Sequence, residues 1–407
     1  MNRIVMILSS PFRPDPRVDQ EAKTLSARGH QVTVICWDRH GTLPREEMRH
    51  RVRIVRVQKV RAGFGTGLRL SVQIPRFWRE AVRLAIEGEP YVVHCHNLDT
   101  LYAGWQIKKR LGCFLIYDAH EHYPAMVSLS LPPPFPRALT FWELWLMRHV
   151  DATITASTVL RDEFASRGLS PVVTLGNYHE LAPYDAVTQA DVRDLRMRLG
   201  VAPEDVLVAY IGGFSPNRML LPMIEAAHAL PHVKFHIWGE GAQRAAIEQA
   251  VARRPNVSYH GWLPLSELPC HFKAADVILY CLRLDYPGAI YNAPNTLSCA
   301  MAAGRPVVAT DVGDLGRMVR AADCGILIGE ATPRGIATAI EQLLDRATRA
   351  RLGGNARRAA QGPYNAAAQS ALLIELYDRL GLGADHHAGV LGRTPKTLLR
   401  KGHRPRF

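Results

Sequence analysis

Short apolar runs, each followed by a stretch with helical spacing, recur along the whole chain, and this alternation narrows the possible folds more than any other feature. Residues 4–10, 31–37, 92–96, 114–120, 152–157 and 172–176 read as buried strands, with helical patterns such as 17–28, closed by Gly29, between them. The pattern restarts at 206–213 and continues through 233–238, 257–260, 277–282, 307–311 and 326–329. Neighbouring parallel strands need crossover helices, so the expected class is α/β, with two Rossmann-like, doubly wound parallel-sheet domains facing a cleft. The expected boundaries are 1–180 for the first domain, 181–204 for a linker and 205–362 for the second domain. An amphipathic helix over 363–382 and a polar, basic tail over 383–407, read as flexible, complete the chain.

The segment 292–311 says most about chemistry. Pro294 and Asn295 open a helix, Gly304 closes it, and Pro306-Val-Val-Ala-Thr-Asp311 forms a short apolar run ending in a polar residue. A helix start after a strand presents unpaired backbone N–H groups to an anion.

Composition narrows the setting. The 407 residues suffice for two cores of ordinary size, and no apolar run approaches the roughly eighteen residues that span a bilayer. The first ten residues read as the start of a strand–loop–helix unit and not as a signal peptide, which points to the cytoplasm. Seven cysteines, at 36, 95, 113, 270, 281, 299 and 324, show no Cys-x-x-Cys spacing and suit free buried thiols.

The net charge of +13 is concentrated in two places: residues 45–83 hold eleven Arg or Lys against three Glu, and residues 390–407 hold six against none. Within the first region, cations mix with Phe77, Trp78 and aliphatic residues at roughly helical spacing, a mixture that suits peripheral attachment to an anionic membrane. The cations do not line the motifs described next, so no nucleic-acid partner is expected.

Several motifs resemble those of family 4 (GT4-type) glycosyltransferases of the two-domain GT-B fold. These are Asp15-Pro-Arg-Val-x-x-Glu-Ala-x-x-Leu-x-x-x-Gly-His-Gln-Val-Thr-Val34, Tyr117-Asp-Ala-His-Glu-His-Tyr-Pro124, Tyr210-Ile-Gly-Gly213, Trp238-Gly-Glu-Gly241, Ala293-Pro-Asn-Thr-Leu297 with Met301-Ala-Ala-Gly-Arg-Pro-Val-Val-Ala-Thr-Asp311, and Gly362-Pro-Tyr-Asn365. The resemblance covers residues 1–381. It implies that the helix over 363–382 crosses back to brace the first domain.

The resemblance also implies a donor site. Gly212, Gly213 and Arg218 would approach a diphosphate, and the backbone of Thr296 and Leu297 would cap its distal phosphate. The backbone near Trp262 and Leu263 would recognise the base, with Gly239 beside it. The family commonly has two cations near the glycine pair; here Gly213 stands at the first position and Arg218 at the second. Two Glu that normally contact the donor sugar and ribose are replaced by Tyr291 and Cys299, which leaves Asn292, Asn295 or Asp285 to rebuild the contact.

On the other side, His120 would meet the donor sugar, flanked by Asp118 and Glu121 as further catalytic groups. Arg13, Arg17 and His122 would be acceptor-side residues, within and near a proline- and arginine-rich first loop, 9–17. His94, Cys95 and His96 have metal-ligand types but alternate across the faces of a strand, so no metal is expected there. None is expected at the diphosphate either, because no Asp-x-Asp pair stands in a suitable setting.

The expected activity is metal-independent, retaining transfer of a sugar from a UDP- or GDP-linked donor to a saccharide or lipid-linked acceptor, with no cofactor beyond that substrate. Two alternatives stay open: a nucleotide-sugar epimerase using Asp118, Glu121 and His122, and a catalytically impaired binding or scaffold paralogue in glycan assembly.

Overall fold

In the computed structural model, described for residues 1–383 except 14, 63–67, 129–130, 133 and 170, the chain forms two compact units. The first comprises residues 1–175 together with the stretch from 370, and the second comprises 176–369. The tail over 390–407 lies outside the described residues.

The first unit holds eight strands: β1 Arg3–Leu8, β2 Gln31–Trp37, β3 Glu46–Arg49, β4 Val52–Val57, β5 Val92–His96, β6 Phe114–Ala119, β7 Ala152–Thr155 and β8 Val172–Thr174. Their order is β3-β4-β2-β1-β5-β6-β7-β8, parallel throughout except β3 against β4. Strand order reverses between β1 and β5, which is where a doubly wound sheet offers a ligand crevice at its carboxyl edge. The hairpin of β3 and β4 is an addition to the expected set. Its Arg and Glu side chains, part of the basic region 45–83, partly pair with one another: Arg56 is 3% exposed, with its Nη2 3.2 Å from Glu47 Oε1.

The second unit has six parallel strands, β9 Val206–Ile211, β10 Val233–Trp238, β11 Val257–Tyr259, β12 Val277–Tyr280, β13 Val307–Thr310 and β14 Gly325–Ile328, in the order β11-β10-β9-β12-β13-β14. Leu207, Ala209 and Ile211 enter one core while Val208 and Tyr210 enter another, so β9 is buried on both faces, as a near-continuous apolar run requires. The switch point falls between β9 and β12.

The segment expected as a linker is folded. Ala182–Asp185 and Gln189–Arg198 are helical, the second opened by a Thr188/Asp191 capping box, and Val192 and Leu195 pack on Ala274 within the second unit. Helix Ala366–Arg379 matches the expected terminal helix, and its Leu373, Leu376 and Tyr377 join the core of the first unit. All seven cysteines are free, six of them buried. No described helix is long and apolar enough to cross a membrane.

Candidate active site

In the second unit, the turn after β9 and the helix after β12 converge at the switch point. Helix Asn295–Ala303 starts at Pro294, and Gly304 ends it at φ +68°. The hydroxyl of Thr296 lies 3.4 Å from the Ile211 carbonyl, and a Cβ placed on Gly212 would lie 3.7 Å from Thr296 Oγ1. The glycine turn therefore sits directly against the helix start, whose first N–H groups have no intrahelical partner. Gly239 supports that turn: its φ is +148°, and a Cβ there would come within 1.9 Å of the Gly212 carbonyl oxygen. Gly213 is open, with no atom within 4 Å of a Cβ built on it, so the missing family cation is not excluded by crowding.

Arg218 precedes the next helix, Leu220–Ala226, and does not enter it. A bridge to Leu282 fixes its backbone, and its guanidinium lies over the Tyr280 ring at 4.5 Å. The Tyr280 hydroxyl donates to Asn292 Oδ1 at 2.8 Å. Trp262 is 65% exposed and Leu263 buried, on the loop whose Gly261 carbonyl accepts from Gly239 N–H at 2.8 Å. Tyr291 closes the short 3-10 turn Ala289–Tyr291. Asp285, a candidate to replace the lost carboxylates, is paired with Arg283, Oδ1 to Nε at 2.9 Å.

His179 was not among the residues singled out from the sequence. Its Nε2 is 2.7 Å from Asn295 Oδ1 and 3.2 Å from Cys299 Sγ, and its backbone N–H donates to Ser298 Oγ at 3.2 Å. Burial disfavours the imidazolium, but Cys299 and Asn295 outweigh it and lift His179 to about 9. At the position where the resemblance implies a carboxylate, this chain carries a thiol beside a histidine. The partners are 116 and 120 residues apart in sequence, and no local spacing announces them.

In the first unit, a buried charge network lies at the carboxyl ends of β5 and β6. Arg17, the second residue of helix Pro16–Ala27, places Nη2 2.6 Å and Nε 3.0 Å from the two oxygens of Asp118. Its Nη1 donates to the Leu175 carbonyl at 2.6 Å, and its Nε lies 3.3 Å from Glu21 Oε1. Burial alone would raise Asp118, but Arg17 and hydrogen bonds from His120 and His96 hold its carboxyl well below the usual range. Burial, the Asp118 charge and weaker local effects push Glu21 well above its ordinary value against the opposing pull of Arg17.

Glu21, His94, His96 and Asp118 bring ligand-type atoms within 4.8 Å of one another, and the positive charge beside them is the Arg17 guanidinium. Arg17 is thus a buried counter-ion with 7% side-chain exposure and not the acceptor-side cation expected from the motif.

His120 Nε2 lies 3.0 Å from Asp118 Oδ2, which His96 Nδ1 also reaches at 3.1 Å. A carboxylate accepts, so a hydrogen on each of these nitrogens would satisfy it, and with its hydrogen on Nε2 alone the His120 ring would keep Nδ1 as a lone-pair acceptor. Glu121 is exposed. His122 Nδ1 accepts from Ala125 N–H at 3.2 Å and caps helix Tyr123–Val127. Arg13 is exposed, with Nη2 3.3 Å from Thr42 Oγ1.

Two parallel-sheet α/β units, the second with a glycine turn set against a helix start at its switch point, are the architecture of the GT-B class of glycosyltransferases. Solved structures agree on the fold. Sucrose-phosphate synthase from Thermosynechococcus elongatus superposes with a TM-score of 0.80 at 20% identity, covering 93% of this chain and 99% of its own. Anabaena HepE in complex with UDP-glucose superposes with a TM-score of 0.72 at 17% identity, covering 93% of this chain and 100% of its own.

The sequence matches Glycosyltransferase Family 4 over residues 17–177 and Glycosyl transferases group 1 over residues 205–346. A D-inositol 3-phosphate glycosyltransferase from Segniliparus rotundus is 27% identical over 354 residues, 79% of this chain and 75% of that protein. The chain belongs to the GT4-type glycosyltransferases of the GT-B fold.

Proposed function

We propose that the protein transfers a sugar from a UDP- or GDP-linked donor to a saccharide or lipid-linked acceptor, retaining anomeric configuration and using no divalent ion at the diphosphate. The observation that carries this reading is the contact of the Gly212 turn with the start of helix Asn295–Ala303, where the Thr296 and Leu297 N–H groups and the Arg218 side chain would offer a diphosphate both hydrogen bonds and charge. These donors would also stabilise the leaving group as its charge develops. Similarity to the HepE structure, whose ligand is UDP-glucose, favours uridine as the base.

Within the first unit, Asp118 fixes the His120 ring, which leaves Nδ1 to accept a hydrogen bond from a sugar hydroxyl. Asp118 itself is enclosed by Arg17, His96 and His120 and is poorly placed as a covalent nucleophile. A front-face displacement, with the leaving phosphate taking the acceptor proton, fits better. The same enclosure weakens the epimerase reading, since Asp118 is held ionised and cannot alternate as acid and base.

Release of nucleotide diphosphate from UDP- and GDP-linked hexoses tests this reading. It should proceed with added chelator, and the anomeric coupling in the product should match that of the donor. No release from either donor class, in the presence of saccharide and lipid-linked acceptors, would refute the activity; inversion or loss with chelator would refute the mechanism.

A further inference from the structure

The outer face of the first unit carries an aromatic ladder that the donor site does not use. Trp78 of helix Leu68–Glu87 meets Tyr102 at 4.8 Å and Trp142 at 5.9 Å between ring centroids. Tyr102 meets Trp105 at 5.5 Å, and Trp105 meets Trp145 at 5.1 Å. Three helices, Leu68–Glu87, Leu98–Leu111 and Pro134–Met147, supply these rings, which include four of the chain's seven tryptophans.

A core would cover such residues. Here Phe141 is 76% exposed, Phe135 49% and Trp145 41%. Helix Pro134–Met147 buries Glu143, Leu146 and Met147, with Glu143 accepting from the Tyr117 hydroxyl at 2.6 Å. Much of the rest of its surface faces outward. A groove of about 930 Å³ opens beside Trp78, Tyr102 and Trp142, and Arg79, Arg83 and Arg110 line it. Lys109 Nζ stands over the Trp105 ring at 5.4 Å, while Glu80 and Glu87 are both paired with Arg83.

We infer that this face lies on a bilayer of anionic lipid, with Phe141 and Trp145 in the headgroup region and Arg79, Lys109 and Arg110 against lipid phosphates. Tryptophan and tyrosine favour the depth at which a bilayer meets water, and an exposed aromatic patch with cationic neighbours matches an anionic surface. A second copy of this chain would oppose like charges across a two-fold axis. Single-stranded nucleic acid would need free ring faces, whereas Trp78, Tyr102 and Trp105 each contact more than one ring. The surface read from the sequence over 45–83 changes accordingly. Phe77, expected on it, is fully buried and stacks on Trp37 at 5.0 Å, and the lipid-facing set shifts to three helices. The inference does not rest on the donor site.

The test uses the full chain without nucleotide and vesicles of phosphatidylcholine alone or with about 30% phosphatidylglycerol. Binding to the anionic vesicles only, weakened by salt, with tryptophan fluorescence quenched by brominated acyl chains, is the expected result. Phe141→Ser with Trp145→Ser should weaken binding about tenfold at unchanged Tm. Arg79→Glu with Lys109→Glu should do the same if the first variant folds poorly. Equal binding to neutral vesicles, binding without quenching, or no effect of either variant pair would overturn the inference. So would a concentration-dependent dimer lost in these variants, or an oligonucleotide bound through these residues.

Discussion

Replacing Asp118 by Asn preserves side-chain shape and removes charge, and the structure sets the size of the effect. Two carboxylate oxygens accept from Arg17 Nη2 at 2.6 Å, Arg17 Nε at 3.0 Å, His96 Nδ1 at 3.1 Å and His120 Nε2 at 3.0 Å. An amide keeps one acceptor and points a donor at groups that are themselves donors. With Arg17 only 7% exposed, loss of its counter-ion leaves a buried cation, at a cost of about 3–5 kcal/mol. Glu21, 3.3 Å from Arg17, offsets part of this by giving up its proton, so about 3 kcal/mol should remain at neutral pH.

The pH dependence follows from Glu21. In the wild type its folded value is raised, so its contribution is fully present below the ordinary value of 4.5 and declines as pH rises. In Asp118→Asn, Glu21 faces Arg17 without a competing carboxylate and contributes in the opposite sense. The wild-type advantage should therefore be largest near about pH 5 and shrink toward about pH 8. Urea unfolding followed by tryptophan fluorescence reports this unit, which holds five of the seven tryptophans. Turnover should fall about a hundredfold because His120 loses its orientation. A stability difference below about 1 kcal/mol, or one that grows with pH, would refute the reasoning.

Other perturbations test the second unit. Gly213→Lys places a cation in open space beside the proposed phosphates and should tighten UDP binding by about 1–2 kcal/mol by calorimetry; unchanged affinity would place the diphosphate elsewhere. Gly239→Ala forces a methyl group into the Gly212 carbonyl, and should destabilise the protein by more than about 2 kcal/mol and abolish UDP binding; normal thermal stability would contradict the close approach. The His179 imidazole should titrate near 9 by NMR, stabilising the fold below its ordinary value of 6.5 and losing that contribution as pH rises through 9. In Cys299→Ala the titration should move toward 6.5, and an unmoved midpoint would show that the thiol is not its partner.

What the sequence revealed depended on how local each feature is. Strands β9, β10, β12 and β13 were legible because a buried parallel strand is a compact apolar run between helical stretches, and the turn at Gly212 and the helix start at Asn295 each lie within such a unit. Strands β3 and β4 were not. In Val52-Arg-Ile-Val-Arg-Val57 and Glu46-Glu-Met-Arg49 the charged residues resemble a solvated surface until the hairpin pairs them. His120 and Asp118 were visible in one motif, but what holds them was not: Arg17 is 101 residues from Asp118, and His96 is 22 residues away. His179 escaped notice for the same reason, since its importance arises only from folding onto Asn295 and Cys299. Trp78, Trp105, Trp142 and Trp145 are spread over three helices, and only packing makes them one surface.

The central claim is that the Gly212 turn, Arg218 and the start of helix Asn295–Ala303 hold a diphosphate. Calorimetry of UDP against uridine, on the wild type and on Arg218→Ala, tests it most directly. The account expects UDP to bind at least about a hundredfold more tightly than uridine, and the substitution to remove about 1.5–3 kcal/mol of that advantage while leaving uridine affinity unchanged. Equal affinities for UDP and uridine in the wild type, or equal weakening of both by the substitution, would contradict it.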